Sequence, residues 1–216
     1  MKIQEVIRKR RTTKVLGNNP WPLPGAEVDR KVYEIIQSAE MAPFHYQAHK
    51  THQSNNSLNS IVPWRVYWLK AAECRKLATY IHENDIKAGK ILQMLFAADA
   101  LLQVTWLPDP SEGAAELPVF EGNLRNMEHI AAGSAAIQNM LLTATALNIP
   151  NYWSSGGVLR TEEMHAKLGI NSSEILLVSV FLFPEGADVA GDHKVGLGGL
   201  RDKKGEINQW SEVISL

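Results

Sequence analysis

Val28, Val32, Ile35, Ile36 and Ala39 recur at helical spacing and predict an amphipathic helix over residues 26–40, which Pro43 must end. Ile3, Val6 and Ile7 place a shorter helix before it, and residues 18–25, with three prolines and a glycine, form the loop between them. Residues 71–84 and 87–97 carry Leu77, Ile81, Ile91, Leu92 and Leu95 on apolar stripes and read as two more helices. The longest helical pattern covers residues 123–147, with an apolar face of Leu124, Met127, Ile130, Ala131, Ser134, Ile137, Leu141, Leu142 and Thr145. The small residues at 131–136 in its middle let another backbone approach closely, so this helix should be buried centrally or between subunits.

Strand signals lie between the helices. Trp64-Arg65-Val66-Tyr67-Trp68-Leu69 is aromatic and β-branched, residues 100–107 form a second candidate, and Asn151-Tyr152-Trp153 a short third. Residues 174–183 are apolar at nearly every position, as a strand covered on both faces must be. Thr161, followed by Glu162 and Glu163, opens a helix as its N-cap, and alternation over residues 207–216 predicts a last strand. Two stretches fit no element. Residues 47–60 are polar and histidine-containing, with Leu58 as the one large aliphatic side chain, so they form a mobile loop unless something organises them. Residues 108–122, rich in proline and acid, form a long surface loop. Helices and strands in this order predict an α+β fold, one domain over residues 1–216 with residues 47–60 as a polar insertion.

Composition narrows the class. A formal net charge of -1 and pI near 6.7 argue against a general nucleic-acid binder. The one cysteine, Cys74, excludes an internal disulfide and suits a reducing, cytoplasmic setting. Neither a secretory leader nor a membrane-spanning run is expected, because the apolar stretch from Ile175 to Phe183 is too short.

Against that neutral background, Lys9-Arg10-Arg11-Thr12-Thr13-Lys14 puts four cations and two hydroxyls into six residues. A solvated helix end can carry cations, which favour the negative terminus of the dipole. An anion, best a phosphate, would equally account for this excess of donors, and both possibilities stay open on spacing alone. His45, His49 and His52 lack a firm scaffold for a metal, so solvated loop histidines are the default. Gly196-Leu197-Gly198-Gly199 lacks the strand-before, helix-after context of a dinucleotide loop and is discounted. Ser154-Ser155 is no nucleophile elbow, and Cys74 is expected to serve packing.

Four motifs in order resemble the FMN-dependent nitroreductases over nearly the whole chain. They are Arg10-Arg11-Thr12-Thr13-Lys14 after the first helix, Ala42-Pro43-Phe44-His45 at the end of the second, Pro63-Trp64-Arg65-Val66 opening a strand, and Trp153-Ser154-Ser155-Gly156 after the long helix. The resemblance implies a mostly antiparallel central sheet flanked by helices in a domain-swapped type of homodimer, with FMN at the subunit interface. Arg10, Arg11 and Thr12 would hold the phosphate and ribityl chain, with Lys14 in the same motif. Met41 and His45 would come from the partner subunit, while Trp153, Ser154, Ser155 and Gly156 would line the ring. A C-terminal cation would join the phosphate: Arg201 first, with Lys194 or Lys203 as weaker candidates. One departure is plain: residues 47–60 separate the second motif from the third, and Ile61-Val62 replace the family's x-Gln before Pro63, so ring contacts made there are displaced or lost.

The implied activity is hydride transfer from NAD(P)H through the flavin to a nitroaromatic, quinone or related acceptor, with no separate acid–base dyad in the protein. Residues 47–60 and 108–122 would then shape the pocket and the choice of substrate. Alternatives are a flavin enzyme oxidising or dehalogenating one metabolite, a non-catalytic flavin-binding protein, or an anion- or nucleic-acid-binding module using the basic cluster alone.

Overall fold

A computed structural model describes residues 2–53, 58–110, 120–189, 191 and 193–215. In chain order it contains α1 (Ile3–Lys9), β1 (Thr13–Leu16), α2 (Ala26–Gln37), β2 (Trp64–Lys70), α3 (Ala71–Glu83), α4 (Lys90–Ala97), β3 (Ala100–Trp106), α5 (Leu124–Ala146), β4 (Asn151–Ser154), α6 (Glu162–Leu168), β5 (Ile175–Leu182) and β6 (Lys194–Leu197). The architecture is α+β. An antiparallel sheet of order β2-β3-β5-β4 runs between helices, and β1 pairs with β6 in a separate two-stranded ribbon.

Strand geometry explains why β3 and β5 are apolar throughout. Successive side chains point to opposite faces, so a strand covered on both sides needs apolar residues at odd and even positions alike. Leu101 opposite Phe181 packs with α3 and α4, whereas Leu102 opposite Val180, and Val104 opposite Val178, pack with α2 and α5. Each of these side chains is fully buried, worth roughly 1.5–3 kcal/mol for a residue of this size. One polar pair interrupts the pattern: Ser179 Oγ donates to Gln103 Oε1 at 2.5 Å across the same two strands.

The register slips once, between Val104 and Thr105, because Val104 faces Val178 while Thr105 faces Leu176. Leu177 is therefore the extra residue of a bulge. Its Cδ2 would lie 3.1 Å from a Cβ added to Gly133, so the glycine in the middle of α5 makes room for it. This accounts for the close approach the small residues foretold. The buried arc of α5 is nevertheless rotated from the expected face. It runs through Asn126, His129, Ala132, Gly133, Ala136, Ile137, Met140 and Leu141, while Leu124 and Met127 are 60% and 59% exposed. Buried polar groups here serve the chain end leaving β3: Asn126 Oδ1 accepts from the Asp109 amide at 2.9 Å, and His129 Nδ1 lies 2.8 Å from the Leu107 carbonyl oxygen.

Three further expectations change. The stretch at 207–215 forms a 3-10 turn, Ile207–Gln209, and then no regular structure, and among the described residues it pairs with no strand. Residues 47–60 are organised where described. A 3-10 turn at Lys50–His52 is capped by His49 Nδ1, and the Arg65 guanidinium from β2 donates to the carbonyls of His52, Leu58, Ser60, Val62 and Trp64. Ser54, Asn55, Asn56 and Ser57 of that stretch, and most of the predicted loop at 108–122, lie outside the described residues. Among the described residues, no helix is long and apolar enough to cross a membrane.

Candidate functional site

The basic cluster spans the junction where α1 ends and the β1–β6 ribbon begins. Arg10 is the C-cap of α1, its amide donating to the Val6 carbonyl at 2.8 Å, and the chain turns extended at Thr13. In the ribbon Thr13 pairs with Leu197, Lys14 with Gly196, Val15 with Val195 and Leu16 with Lys194. Thr13 and Val15 are buried on one side of the strand, and Leu16 on the other is also covered, packing with the cluster around α3 and α4. Thr12, Lys14, Leu16, Lys194, Gly196 and Gly198 therefore share the other side.

Two contacts fix this ribbon in the molecule. Thr12 forms a parallel bridge to Asn151, joining it to the edge strand β4, and the Gly17 amide donates to Gln93 of α4 at 3.0 Å. Between the ribbon, β4 and the first residue of α4 opens a cleft of about 900 Å³, lined by Arg10, Arg11, Thr12, Lys14, Leu16, Lys90, Tyr152, Trp153 and the stretch from Lys194 to Arg201. Gly198 helps form its floor. Its amide donates to the Thr12 carbonyl at 2.8 Å, and an added Cβ would sit 3.1 Å from Thr12 Cβ.

Arg201 brings the far end of the chain to this place. Its Nη1 donates to the Arg10 carbonyl at 2.7 Å and its Nη2 to the Arg8 carbonyl at 2.6 Å, occupying oxygens that α1 leaves free at its C-terminus. The Arg201 guanidinium is thereby anchored on the backbone of the basic cluster. Burial, and then the Arg201 charge, depress the Arg10 pKa below its ordinary value. Arg10 Nη1 reaches only the Thr12 hydroxyl, at 3.5 Å. Arg11 is better compensated, through Asp202 Oδ2 at 2.5 Å and the Gly198 carbonyl at 3.3 Å. Lys14 Nζ stands 4.7 Å from the centre of the Tyr152 ring. The cleft therefore carries a local excess of positive charge, with Asp202 as the carboxylate paired to one of its cations.

Of the residues expected at a flavin site, the structure gathers Arg10, Arg11, Thr12, Lys14, Trp153 and Arg201 around one cleft. Lys194, a weaker candidate, lines it too, and Lys203 does not. Ser154, Ser155 and Gly156 lie just beyond. Ser154 is turned inward, its Oγ accepting from the Gly156 amide at 3.2 Å, and Gly156 adopts φ +100 beside Leu176. The Ser155 carbonyl accepts from Arg160, which also bonds the carbonyls of Leu176 and Leu177. Met41 and His45 are exposed and do not line this cleft within the one chain.

Lys90, Tyr152 and the glycine run were not identified from sequence. The run Gly196-Leu197-Gly198-Gly199 begins inside β6, and its glycines leave no side chain opposite Lys14 at Gly196 or beside Thr12 at Gly198. Lys90 lies 80 positions from Arg10 in a separate helix, and nothing local marks it. The histidines have other employment: His52 Nε2 lies 2.8 Å from the Pro108 carbonyl oxygen and His49 caps its turn. Cys74 is buried, and desolvation pushes its thiol up to about 12.

A sheet crossed by a long buried helix, with a basic cleft where the first helix meets a ribbon at its edge, defines a recognisable structural class. It is the nitroreductase fold. A nitroreductase-like family protein from Bacillus cereus aligns over 99% of this chain and 96% of its own, with TM-score 0.64 and 20% identity. Nitroreductase CinD from Lactococcus lactis, solved with nicotinic acid, covers 99% of this chain and 100% of its own at TM-score 0.63 and 14% identity. A nitroreductase with bound FMN from Bacteroides fragilis covers 90% and 94% at TM-score 0.54 and 17% identity. At such identities the likeness establishes the fold. No protein-family model matches the chain, and no curated protein sequence matches it.

Proposed function

We propose that the cleft binds FMN and that the chain is an FMN-dependent oxidoreductase of the nitroreductase type. The observation that carries this is the gathering of Arg10, Arg11 and Arg201 around one cleft, with Arg201 anchored on the Arg8 and Arg10 carbonyls. Cations gathered in one partly buried cleft oppose folding, and an anion held among them turns that cost into a set of charge-assisted hydrogen bonds, each worth roughly 1.5–3 kcal/mol. Thr12 adds a hydroxyl, and Gly198 leaves the clearance that an added Cβ would remove. The donor set therefore fits a phosphate.

When bound, FMN would supply the redox chemistry, accepting hydride from NAD(P)H and delivering it to a nitroaromatic, quinone or related small acceptor. The protein's own part is positioning and electrostatics. Arg10, Arg11, Arg201 and Thr12 hold the phosphate end, and Lys14 stands where a cation would stabilise negative charge on the ring's pyrimidine edge. Trp153, on the edge strand and 37% exposed, offers an apolar wall, with Ser154, Ser155 and Gly156 shaping the turn behind it.

The site is completed by a second copy of the chain. Supporting this, Ile3, Ile7, Leu124 and Met127 leave an apolar surface on α1 and α5 uncovered, and Met41 is 76% exposed. Met41 and His45 would then approach the flavin from the partner. The tail, with Val213 and Ile214 at 90% and 81% exposure, would also find its cover there.

The test is spectroscopic. Purified protein should be yellow or become so with FMN after desalting, and anaerobic NADH or NADPH should bleach it. Arg10→Ala should release the flavin with the circular dichroism spectrum unchanged. Protein that stays colourless through FMN incubation would overturn the assignment, and so would full flavin retention in Arg10→Ala.

A further inference from the structure

We infer that Lys90 and Lys194, flanked by Lys14, form a second phosphate subsite that selects the 2′-phosphorylated donor NADPH over NADH, taking the flavin assignment above as premise. Charge counting starts it. Six cations line the cleft: Arg10, Arg11, Lys14, Lys90, Lys194 and Arg201. The three arginines, less the Asp202 carboxylate paired with Arg11, leave about two positive charges, which one phosphate monoester matches. With Lys14 given to the flavin ring, Lys90 and Lys194 are left over, and among the described residues neither has a carboxylate partner.

The leftover charge is also elsewhere in the cleft. Lys194 pairs with Leu16 at the far end of the ribbon, whereas the arginines gather around Thr12. Four residues of strand separate Thr12 from Leu16, roughly 13 Å at 3.3 Å per residue. One phosphate cannot touch both ends. Lys90 is the first residue of α4, so the positive end of that helix dipole reinforces the same spot. Lys14 is steered toward the groove by its contact with Tyr152, which orients the charge without neutralising it.

Chemistry then chooses the ligand. Nitroaromatic and quinone acceptors carry no fixed charge that would need this end, whereas the reduced donor carries phosphates. Lys90 and Lys194 are exposed point charges on flexible stems, suited to a solvent-facing monoester such as the 2′-phosphate of NADPH. NADH lacks that group and offers the lysines only the pyrophosphate that both donors share, so a preference for NADPH must come from the monoester.

Titration calorimetry with 2′,5′-ADP and 5′-AMP on the flavin-loaded protein decides the matter. The expectation is that 2′,5′-ADP binds wild type roughly tenfold tighter, a difference of about 1.4 kcal/mol. Lys90→Gln with Lys194→Gln should erase that difference while the visible spectrum shows flavin still bound. Both side chains are exposed, so the variant should keep its fold, which circular dichroism would check. Equal affinity of the two nucleotides for wild type, or a preference that survives in the double variant, overturns the subsite. If the protein holds no flavin, the same titration runs on it as purified; a preference lost in the double variant then upholds the lysine site while the flavin assignment fails.

Discussion

Replacing Arg65 by Met removes the donors that organise the polar stretch before β2 while keeping a side chain of similar reach. The residue is 4% exposed, and its guanidinium donates five hydrogen bonds: to Leu58 at 2.9 Å, Val62 at 2.8 Å, Trp64 at 2.8 Å, His52 at 3.2 Å and Ser60 at 2.9 Å, all carbonyl oxygens. Loop carbonyls can turn to water once released, so the full count overstates the loss. If two of the five stay buried without a partner, at about 1–3 kcal/mol each, the cost is roughly 2–6 kcal/mol. A central value of about 4 kcal/mol agrees with the loss from breaking a buried charged network. For a chain of this size, each kcal/mol lowers Tm by about 2–4 °C, so the expected drop is about 8–16 °C. Arg65→Lys should recover only part, because an ammonium lacks the fork that spans five acceptors. Calorimetry gives the Tm, and limited proteolysis followed by mass spectrometry should find new cleavage between His52 and Pro63. A drop under about 3 °C with an unchanged digest would refute the idea that Arg65 holds this stretch.

Asp99 supplies a pH test. Burial raises its carboxyl to about 6, against the opposing charge of Arg75, from an ordinary value of 3.8. Since the folded state binds this proton more tightly than the unfolded one, the stabilisation is complete below pH 4 and is lost as pH rises through 6. Asp99→Asn should therefore flatten the wild type's stability loss between those values; identical urea midpoints against pH for the two proteins would remove Asp99 from the account. Gly198→Val should weaken FMN binding at least about tenfold, because its Cβ starts 3.1 Å from Thr12 Cβ and closes the groove floor. Flavin fluorescence titration measures this, and unchanged affinity would mean the ligand lies away from that floor.

Much of the frame was legible because strong patterns decide it. The strand at Ile175–Leu182 had to be covered on both faces, and the long helix at Leu124–Ala146 had to sit close to something. What escaped is as instructive. The strands Thr13–Leu16 and Lys194–Leu197 are four residues each, and the second carries lysine and glycine at 194 and 196, so no apolar alternation advertises it. The arc of the long helix was misplaced because its buried side begins with Asn126 and His129, whose burial depends on carbonyl and amide partners contributed by the chain around 107–109. Hydropathy cannot report a partner 17 or 22 residues away.

The same limit governs the site. Its first wall could be found because four cations fall within six residues, and the motif resemblance supplied Arg201, which no local property distinguishes from Lys203. Only the fold shows that Arg201 bonds the carbonyls of Arg8 and Arg10 and brings a further cation to the cleft. This arrangement favours the proposed anion site over a solvated helix end. A solvated helix end would spread its cations into water. Lys9 does this, turning away to Asn148 at 2.6 Å. Arg10, Arg11 and Lys14 face inward with three more cations, so that six of the chain's 22 lysines and arginines surround one cleft of about 900 Å³. Nucleic acid would call for a surface extending along a backbone, with phosphates spaced over many ångströms. Charge gathered into a concavity favours a small anionic ligand instead, and its excess over a single phosphate is what calls for a second one.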